Sequence, residues 1–370
     1  MAQTGLVAAM TGVRAPFVLR EYPVPEPGPG AILVQVTLAN ICGSDLHLWR
    51  GDYIPSDTGT PTLRSVGHEM TGRVARLGPG VTQDSAGAPL AIGDRIVYRY
   101  FYPCGQCRVC LRGLTPRCPH AMRHRHPPDV WPHFNAAYGQ YYYLHPQHTV
   151  FKVPDDVPDE LAATANCALA QVIYGLKLAQ VGLGDHLVIQ GAGGLGIHAV
   201  AVARERGVAQ VIVTDSFDDR LELARAFGAH ELIDMKSYAT PEARARRVRE
   251  LTDGWGADFV LEVAGRPEAL AEALSFLCPG GTCIEIGNIC QGHVVSLDPS
   301  QLVLGAKRIL GIMWYDADSL YQALRFLQNQ QHRYPFSQLL SHRYPLRAIN
   351  EAFRDQDAGR VHRACLAPWA

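Results

Sequence analysis

The stretch 187-LVIQGAGGLG-196 joins a short apolar run to a glycine-rich turn. The apolar run predicts a strand, and the residues that follow the last glycine predict a helix. Glycines at such a turn let the backbone approach a pyrophosphate, because the N–H groups and the dipole of a helix N-terminus favour negative charge. The stretch therefore predicts a dinucleotide site. Its turn residues are Gly191, Gly193, Gly194, Leu195 and Gly196.

A second apolar run, 211-VIVTD-215, supports this interpretation. It ends in Asp215, nineteen residues after the last glycine of the turn, where a carboxylate can accept hydrogen bonds from the adenosine ribose. Ser216 and Phe217 offer no arginine for a 2′-phosphate, so the sequence favours NAD over NADP. A glycine turn alone is weak evidence, and the alternative is a turn that only packs a helix on a strand. The whole strand-helix-strand context argues against that alternative.

The pattern of predicted secondary structure changes partway along the chain. Up to about Pro154, short β-forming runs alternate with Gly- and Pro-rich turns, whereas strands alternate with helices from about Leu161. That alternation implies a parallel, doubly wound sheet, and 370 residues are too many for one ordinary core. We predict an α/β protein with a β-rich domain at 1–160, a doubly wound domain at 161–303, and a segment at 304–370. This last segment carries one more helix and a β-like tail that returns to the first domain.

Composition limits the class of protein. Hydrophobic residues make up 47% of the chain, charged residues 19%, and the formal net charge is -1. These values describe a soluble globular protein without strong electrostatic attraction to nucleic acid or acidic membranes. The opening MAQTGLVAAMTGVRAPF lacks the pattern of a secretory signal, so we expect a cytoplasmic protein with no nucleic-acid or membrane partner.

Four cysteines lie within the fifteen residues 104-CGQCRVCLRGLTPRC-118. Clustered cysteines in a reducing compartment favour a metal site over disulfides, and the intervening Gly, Arg and Pro argue against a helix or strand. An iron–sulfur cluster is the alternative, because Pro119 follows the last cysteine, but seven residues precede that cysteine where ferredoxin runs have three. We predict a structural zinc site, closed by sulfur and therefore without a reactive position. Its ligands are Cys104, Cys107, Cys110 and Cys118.

Two further stretches, 41-ICGSDLHLWRGD-52 and 66-VGHEMTGRV-74, complete a larger pattern. With the cysteine lobe, the glycine turn and Asp215, they follow an order that resembles the zinc-dependent medium-chain alcohol dehydrogenases. The resemblance covers nearly the whole chain, and several motifs in register are more specific than any one alone. It implies a GroES-like catalytic domain, a Rossmann domain for NAD, and assembly into a homodimer or homotetramer.

The resemblance also implies a second, catalytic zinc site with Cys42, His68 and Cys167 as ligands. A catalytic zinc commonly keeps three protein ligands and an open position, and a Cys2His set is the one that alcohol dehydrogenases use. An alcohol bound there loses its proton more readily because the cation stabilises the alkoxide, and hydride can then pass to the nicotinamide. We therefore expect two zinc ions and NAD in each chain. Out of context, each of these ligands would more often be an ordinary buried residue.

Four neighbouring residues take roles that the resemblance implies. Asp45 would accept the other ring N–H of His68 and fix its tautomer. Glu69 would lie beside the metal ligands and exchange onto the zinc. Ser44 and His47 would form a proton relay from the substrate hydroxyl, by way of the nicotinamide ribose, to solvent. Histidine suits the last step because its unperturbed pKa lies near neutrality.

Two arginines are assigned to the cofactor, Arg220 and Arg363. Gly43 occupies a position where some relatives carry an arginine or histidine that holds pyrophosphate. Arg363 resembles a family arginine near the C-terminus and is expected to supply that contact instead.

The stretch 120-HAMRHRHPPDVWPHF-134 departs from the family. A solvated surface loop is one interpretation, since long irregular connections usually lie on the surface. The other is a substrate lid whose aromatic residues face the zinc and whose arginines meet an anion. The residues concerned are Arg123, Arg125, Trp131, His133 and Phe134.

The sequence thus predicts an NAD-linked zinc dehydrogenase that interconverts an alcohol and an aldehyde or ketone, with a polar or anionic alcohol as a possible substrate. A polyol or amino-alcohol (threonine-type) dehydrogenase is the alternative within the class. Two further alternatives lie outside the class of zinc-dependent alcohol dehydrogenases. One is a zinc-stabilised module that binds nucleotide without turnover, and the other is a zinc-free quinone reductase of the same superfamily. The intact set of Cys42, His68, Cys167, Ser44 and His47 argues against both.

Overall fold

The structure is a computed structural model that describes residues 3–52, 63–339 and 342–370. The described chain forms two units, each with its own sheet. Unit 1 comprises Met1–Cys167, Asp316–Gln331 and Phe336–Ala370, and unit 2 comprises Ala168–Tyr315 and His332–Pro335. Unit 2 thus extends past residue 303, the end inferred from the sequence, because one more strand joins its sheet.

The strands, in chain order, are β1 (Thr4–Met10), β2 (Phe17–Pro23), β3 (Ile32–Asn40), β4 (Arg64–Ser65), β5 (Glu69–Leu77), β6 (Arg95–Tyr98), β7 (Tyr141–Leu144), β8 (Val150–Lys152), β9 (His186–Gln190), β10 (Gln210–Asp215), β11 (Glu231–Asp234), β12 (Ala257–Glu262), β13 (Leu277–Glu285), β14 (Arg308–Gly311), β15 (His342–Pro345) and β16 (Ala364–Ala367). The α-helices are α1 (Gly43–Arg50), α2 (Arg108–Leu111), α3 (Asp159–Thr164), α4 (Ala170–Leu178), α5 (Gly194–Glu205), α6 (Asp218–Ala226), α7 (Pro241–Leu251), α8 (Pro267–Phe276), α9 (Ser300–Leu304), α10 (Ala317–Gln330) and α11 (Ile349–Asp357).

Unit 2 is built on a sheet whose order, over the described residues, is β11-β10-β9-β12-β13-β14, with every neighbouring pair parallel. The chain moves outward from β9 to one edge and then returns to build the other side. This doubly wound order confirms the predicted Rossmann fold. It also creates a switch point beside β9, where ligands bind at the carboxyl ends of the strands. The glycine turn follows β9 directly.

Close packing explains the glycines of this turn. Strand β9 is buried along most of its length, as its continuous apolar sequence requires in a parallel sheet. A Cβ at Gly196 would lie 1.9 Å from the carbonyl oxygen of Gly191. Only glycine therefore lets helix α5 begin so close to the strand.

Unit 1 is β-rich, as predicted. Its larger sheet runs β15-β16-β3-β5-β6-β8 through the described part of the chain, with β7 also paired to β3, and a smaller sheet runs β2-β1-β4. The C-terminal strand β16 pairs antiparallel with β3, so the end of the chain completes the first unit. Strand β7 is buried along its whole length, which fits a strand packed in the core.

Helix α11 was missing from the sequence prediction, which placed one helix in the C-terminal segment. Its residues Ile349, Ala352 and Phe353 recur at helical spacing and are buried. The ring of Phe353 lies 5.9 Å from that of Trp49, between ring centroids, so α11 packs behind α1. The helix therefore supports the segment that carries Cys42.

The stretch Asp159–Leu178 is long and apolar enough to cross a membrane by length and composition alone. Of its most apolar window, 83% is buried inside the protein, as in a core helix. It consists of α3, a π-helix at Ala165–Leu169, and α4.

Candidate metal centres and dinucleotide site

Three segments of unit 1 bring Cys42, His68 and Cys167 together. Cys42 is the N-cap of α1, His68 directly precedes β5, and Cys167 lies in the π-helix. One ligand atom from each lies within 4.8 Å of the other two. The two sulfur atoms are 3.9 Å apart.

This geometry fits a tetrahedral zinc ion. Two sulfurs at the usual Zn–S distance of about 2.3 Å lie about 3.8 Å apart in a tetrahedral site. A hydrogen bond from the Cys167 thiol lowers the pKa of Cys42, and the charge of His68 lowers it further. Burial acts in the opposite direction, but the pKa still lies well below its ordinary value. One of the two sulfurs is therefore ready to bind a cation as the thiolate.

The imidazole of His68 is oriented by Asp45. The Nδ1 atom of His68 lies 3.2 Å from Asp45 Oδ1, and Ser44 Oγ lies 3.5 Å from His68 Nε2. Burial favours a lower pKa for His68, but the charges of Asp45 and Cys42 outweigh it and raise the pKa to about 10. A metal ion that binds at Nε2 must displace the proton that the charged imidazole carries on this nitrogen, so metal binding releases a proton.

The π-helix that carries Cys167 is held by Asn166. Its Oδ1 accepts a hydrogen bond from the backbone N–H of Met70 at 3.3 Å, and its Nδ2 donates to the carbonyl oxygen of Tyr98 at 3.1 Å. The sequence predicted an ordinary helix here. A polar amide inside an apolar helical run was the available signal, and π-turns are frequent at functional sites.

Glu69 and Arg363 form a buried ion pair beside this centre. The sequence assigned Arg363 to the pyrophosphate. In the structure its guanidinium pairs with Glu69 inside unit 1, and the contact with the pyrophosphate stays a prediction.

His47 lies at a more exposed position, with its Nδ1 atom 3.1 Å from Asp52 Oδ2. Such a position suits exchange of a proton with solvent.

The second candidate centre is the cysteine lobe. The four sulfurs lie within 4.8 Å of one another, with 4.0 Å between Cys104 and Cys110 and 4.0 Å between Cys107 and Cys118. These separations are far too long for disulfides and suit a tetrahedral sulfur site. Backbone N–H groups, that of Gln106 foremost, lower the pKa of the Cys104 thiol to about 6.

The expectation that the lobe has no helix was wrong. Helix α2 occupies Arg108–Leu111, and a 3-10 turn follows at Thr115–Arg117. The Cys107 sulfur accepts the backbone N–H of Cys110 at 3.5 Å and so caps the start of α2. Sulfur atoms thus substitute for the usual capping oxygens, and local propensity did not reveal this.

The dinucleotide signals of unit 2 meet at the switch point. Gly193 is the N-cap of α5, and Ala192 donates its backbone N–H to Asp215 Oδ2 at 2.7 Å. The Asp215 carboxylate is therefore fixed beside the glycine turn. Arg220 Nη1 lies 3.9 Å from Asp215 Oδ2, and its guanidinium stacks 4.6 Å from the ring centroid of Phe217.

The aromatic residues of the stretch 120–134 pack against other residues of unit 1. Trp131 contacts Tyr143 with 5.3 Å between ring centroids, and His133 stacks on Tyr22 at 4.7 Å. Phe134 is only 1% exposed and belongs to the core. These contacts give the three side chains partners within unit 1, and they do not support the interpretation that the side chains face the zinc.

The two arginines of the same stretch also have internal partners. Arg125 Nη2 donates to the carbonyl oxygen of Gly67 at 2.7 Å. Arg123 lies over the ring of Tyr102, 4.4 Å from its centroid. The expectation that they meet a substrate anion stays a prediction.

Tyr138 is a site residue that the sequence did not single out. Its hydroxyl donates to Asp45 Oδ2 at 2.6 Å. The segment 136-AAYGQY-141 contained it, but nothing in the local pattern indicated which buried group its hydroxyl would reach.

Comparison with known proteins agrees with this arrangement. A family model described as an alcohol dehydrogenase GroES-like domain matches residues 28–155, and one described as a zinc-binding dehydrogenase matches residues 194–329. The chain is 32% identical over 344 residues to a 5-exo-hydroxycamphor dehydrogenase of Pseudomonas putida, covering 92% of each chain. It is 29% identical to an L-threonine 3-dehydrogenase of Xanthomonas oryzae, covering 94% of this chain and 95% of the other.

Among solved structures, an alcohol dehydrogenase from Thermotoga maritima matches with a TM-score of 0.90 and 28% identity. The match covers 99% of this chain and 100% of the other. Both units are thus matched over their full length. The chain is an oxidoreductase acting on CH–OH groups, and it belongs to the zinc-dependent alcohol dehydrogenases of the medium-chain dehydrogenase/reductase superfamily.

Proposed function

We propose that this enzyme interconverts a secondary alcohol and a ketone, with NAD as the hydride carrier and with two zinc ions in each chain. The observation that carries the proposal is the convergence of Cys42, His68 and Cys167 from three separate segments of unit 1. A set of two sulfurs and one imidazole leaves one position of a tetrahedral ion for the substrate.

Zinc held there would act as a Lewis acid that makes a substrate hydroxyl easier to deprotonate. The protein residues have the remaining tasks. Cys42 and Cys167 supply two sulfurs at 3.9 Å, and Asp45 keeps the His68 ring in one tautomer. The hydroxyl of Ser44 lies 3.5 Å from His68 Nε2, and we expect it to take up the substrate proton.

His47 is the residue that we expect to release the proton to solvent. Its imidazole is partly exposed, with 30% side-chain exposure, and Asp52 holds its Nδ1. Such a histidine can change its protonation state without opening the buried centre.

The preference for NAD rests on Asp215. A carboxylate fixed at the end of β10 can accept hydrogen bonds from ribose hydroxyls and would repel a 2′-phosphate. Arg220 lies close enough to weaken that repulsion, so we expect a preference for NAD rather than complete exclusion of NADP. A bound nicotinamide would supply the hydride acceptor, and the residues of the glycine turn would hold the pyrophosphate.

The names of the relatives favour a secondary alcohol. A 5-exo-hydroxycamphor dehydrogenase and an L-threonine 3-dehydrogenase both act at a carbon that bears one hydroxyl and two carbon neighbours. One of these substrates is apolar and the other is an amino acid, so the names do not fix the polarity.

A substrate panel tests this proposal. Cyclic and linear secondary alcohols, L-threonine, polyols, primary alcohols and an anionic alcohol are offered with NAD and with NADP, and NADH or NADPH absorbance is followed. Activity with secondary alcohols and NAD is expected. Activity confined to L-threonine would instead favour the amino-alcohol alternative, which the Xanthomonas relative supports.

Metal analysis of the purified protein separates enzyme from binding module. About two zinc ions in each chain are expected for the enzyme, and about one for a module that fills only the cysteine lobe. Cys42→Ser should lose one zinc ion and the activity. Cys278 lies outside both candidate metal centres, so Cys278→Ser should keep two zinc ions and the activity. Full activity in Cys42→Ser would refute the assignment.

We also expect a cytoplasmic protein that forms a homodimer or homotetramer, as the sequence predicted. Light scattering of the zinc-loaded protein tests the assembly, and a monomer would contradict it.

A further inference from the structure

The hydroxyl of Tyr138 is buried in the interior of unit 1. The side chain is among the largest that are fully buried, with 1% of the residue exposed. Its hydroxyl donates to Asp45 Oδ2 at 2.6 Å, and burial raises the pKa of the phenol well above its ordinary value. The phenol therefore stays protonated and acts only as a donor to this carboxylate.

Asp45 connects this phenol to two of the candidate zinc ligands. Its Oδ2 also accepts the backbone N–H of Cys42 at 3.1 Å, while its Oδ1 faces His68 Nδ1 at 3.2 Å. The carboxylate is itself buried, with 4% exposure, so it needs such donors to offset the loss of water. Without the phenol, Oδ2 would keep only the Cys42 N–H among the contacts that the structure describes.

The ring of Tyr138 also shapes the backbone before His68. Gly67 has a φ of +97°, and a Cβ there would lie 2.8 Å from the Tyr138 ring. Ala137 donates its backbone N–H to the carbonyl oxygen of Gly67 at 3.1 Å. The phenol ring and the adjoining backbone therefore hold the residue that directly precedes the histidine ligand.

The ring itself has little freedom to move. The edges of Phe17 and Phe353 lie against it, at 6.3 Å and 5.7 Å between ring centroids. A ring fixed by aromatic neighbours presents its hydroxyl at one place, so the hydrogen bond to Asp45 requires little loss of side-chain entropy.

We infer that Tyr138 is a positioning residue for the metal centre formed by Cys42, His68 and Cys167, acting through its hydroxyl on Asp45. The inference rests on the proposed function, because it concerns that same centre. Outer partners of metal-binding histidines typically change metal affinity by about 10-fold to 100-fold when removed. The alternative is a tyrosine that serves only for packing, in which case its ring matters and its hydroxyl does not.

Tyr138→Phe separates these two roles, since it keeps the ring and removes the hydroxyl. Tyr142→Phe is the matched control. Tyr142 is likewise fully buried in unit 1, and its hydroxyl lies 3.4 Å from His124 Nε2, away from Asp45. Both variants lose one buried hydroxyl, so a difference between them reports the location of the hydroxyl.

The readout is the rate at which a chelator removes zinc from the purified protein, with the absorption spectrum of the cobalt-substituted protein as a second signal. We expect one of two zinc ions to leave Tyr138→Phe about 10-fold to 100-fold faster than the parent, with an altered cobalt spectrum. The other zinc ion, and both ions in Tyr142→Phe, should leave at the parental rate. Parental release and an unaltered spectrum in Tyr138→Phe would refute the inference.

A double-mutant cycle tests the route through Asp45. If the hydroxyl acts on that carboxylate, Tyr138→Phe should add little to the zinc release already caused by Asp45→Asn. Fully additive effects would show that Tyr138 acts by another route and would overturn the inference. A parent chain with only one zinc would refute the proposed function and this inference together, whereas two zinc ions with no effect of Tyr138→Phe would refute this inference alone.

Discussion

Asp45 Oδ1 lies 3.2 Å from Nδ1 of His68, and this contact leaves Nε2 as the ring nitrogen available to a metal ion. The two residues are 23 positions apart in the sequence, yet both are buried and in contact in unit 1. Because an uncharged amide attracts the ring N–H less strongly than a carboxylate, Asp45→Asn should weaken zinc binding by about 10-fold to 100-fold.

Competition with a zinc-binding dye measures that loss. Asp84→Asn is the control, since Asp84 is another buried carboxylate of unit 1, and it accepts the backbone N–H groups of Ala86 and Ala88 at 2.8 Å and 2.9 Å. Asp84→Asn should lower the free energy of unfolding without weakening zinc binding. Equal zinc loss in both variants would contradict a specific role for Asp45.

The cysteine lobe should contribute stability and no chemistry. Cys110→Ser removes one of four sulfurs from a closed site, so we expect it to lose one zinc ion and to melt at a lower temperature. The activity per chain should stay close to that of the parent at temperatures where the variant is folded. Cys278→Ser should change neither property. Loss of activity from Cys110→Ser at full folding would place the lobe in the reaction.

The charge of Asp215 should set the preference between cofactors. Asp215→Asn removes the negative charge and keeps one oxygen, which can accept either from Ala192 or from Ser216 and Phe217. We expect kcat/KM with NAD to fall by about 10-fold, the scale of a hydrogen bond to a charged group, and the ratio of NADP to NAD activity to rise. Asp218→Ala, which removes an exposed carboxylate paired with Lys236, should leave that ratio unchanged. An unchanged ratio in Asp215→Asn would mean that another group selects the cofactor.

Glu262 should make the stability of unit 2 depend on pH. It is fully buried at the end of β12, and it lies opposite Glu285 of β13 in the parallel register. Burial first, and then the neighbouring carboxyl of Glu285, raise its pKa from 4.5 to about 9. Between these two values the folded chain holds a proton that the unfolded chain has lost. The contribution of Glu262 to the free energy of unfolding should therefore be highest below pH 4.5. It should fall as the pH rises from 4.5 toward about 9.

Glu262→Gln removes this titration and should flatten the dependence over the same window. Urea unfolding at several pH values, read by the fluorescence of the protein, provides the measurement. Glu231→Gln, at a partly exposed carboxyl of β11, is the control and should keep the parental slope. A parental slope in Glu262→Gln would show that other groups cause the pH dependence.

Local patterns were enough to predict several elements of the structure. The strands and helices on both sides of the glycine turn follow from apolar periodicity, and the cysteine lobe follows from spacing. Helix α11 and the π-helix were not predicted. The first is a short amphipathic helix in a polar tail, and the second forms where the Asn166 side chain hydrogen-bonds to β5 and β6.

The stretch 120–134 shows the limit of composition as evidence. Its arginines and aromatic residues suggested a lid, because such residues often contact ligands. In the structure, Phe134 fills the core and Arg125 binds a backbone carbonyl, which are contacts with partners far along the chain. No local pattern identifies partners of that kind.

The sequence by itself determined the α/β class, the doubly wound second unit and the clustering of the four sulfurs of the lobe, because each depends on residues close together in the chain. Only the tertiary structure decided how Cys42, His68 and Cys167 meet, and that the hydroxyl of Tyr138 reaches Asp45. The physical reason is that these contacts join segments that are far apart in sequence. Their distances are set by the packing of whole strands and helices, and no local propensity encodes them.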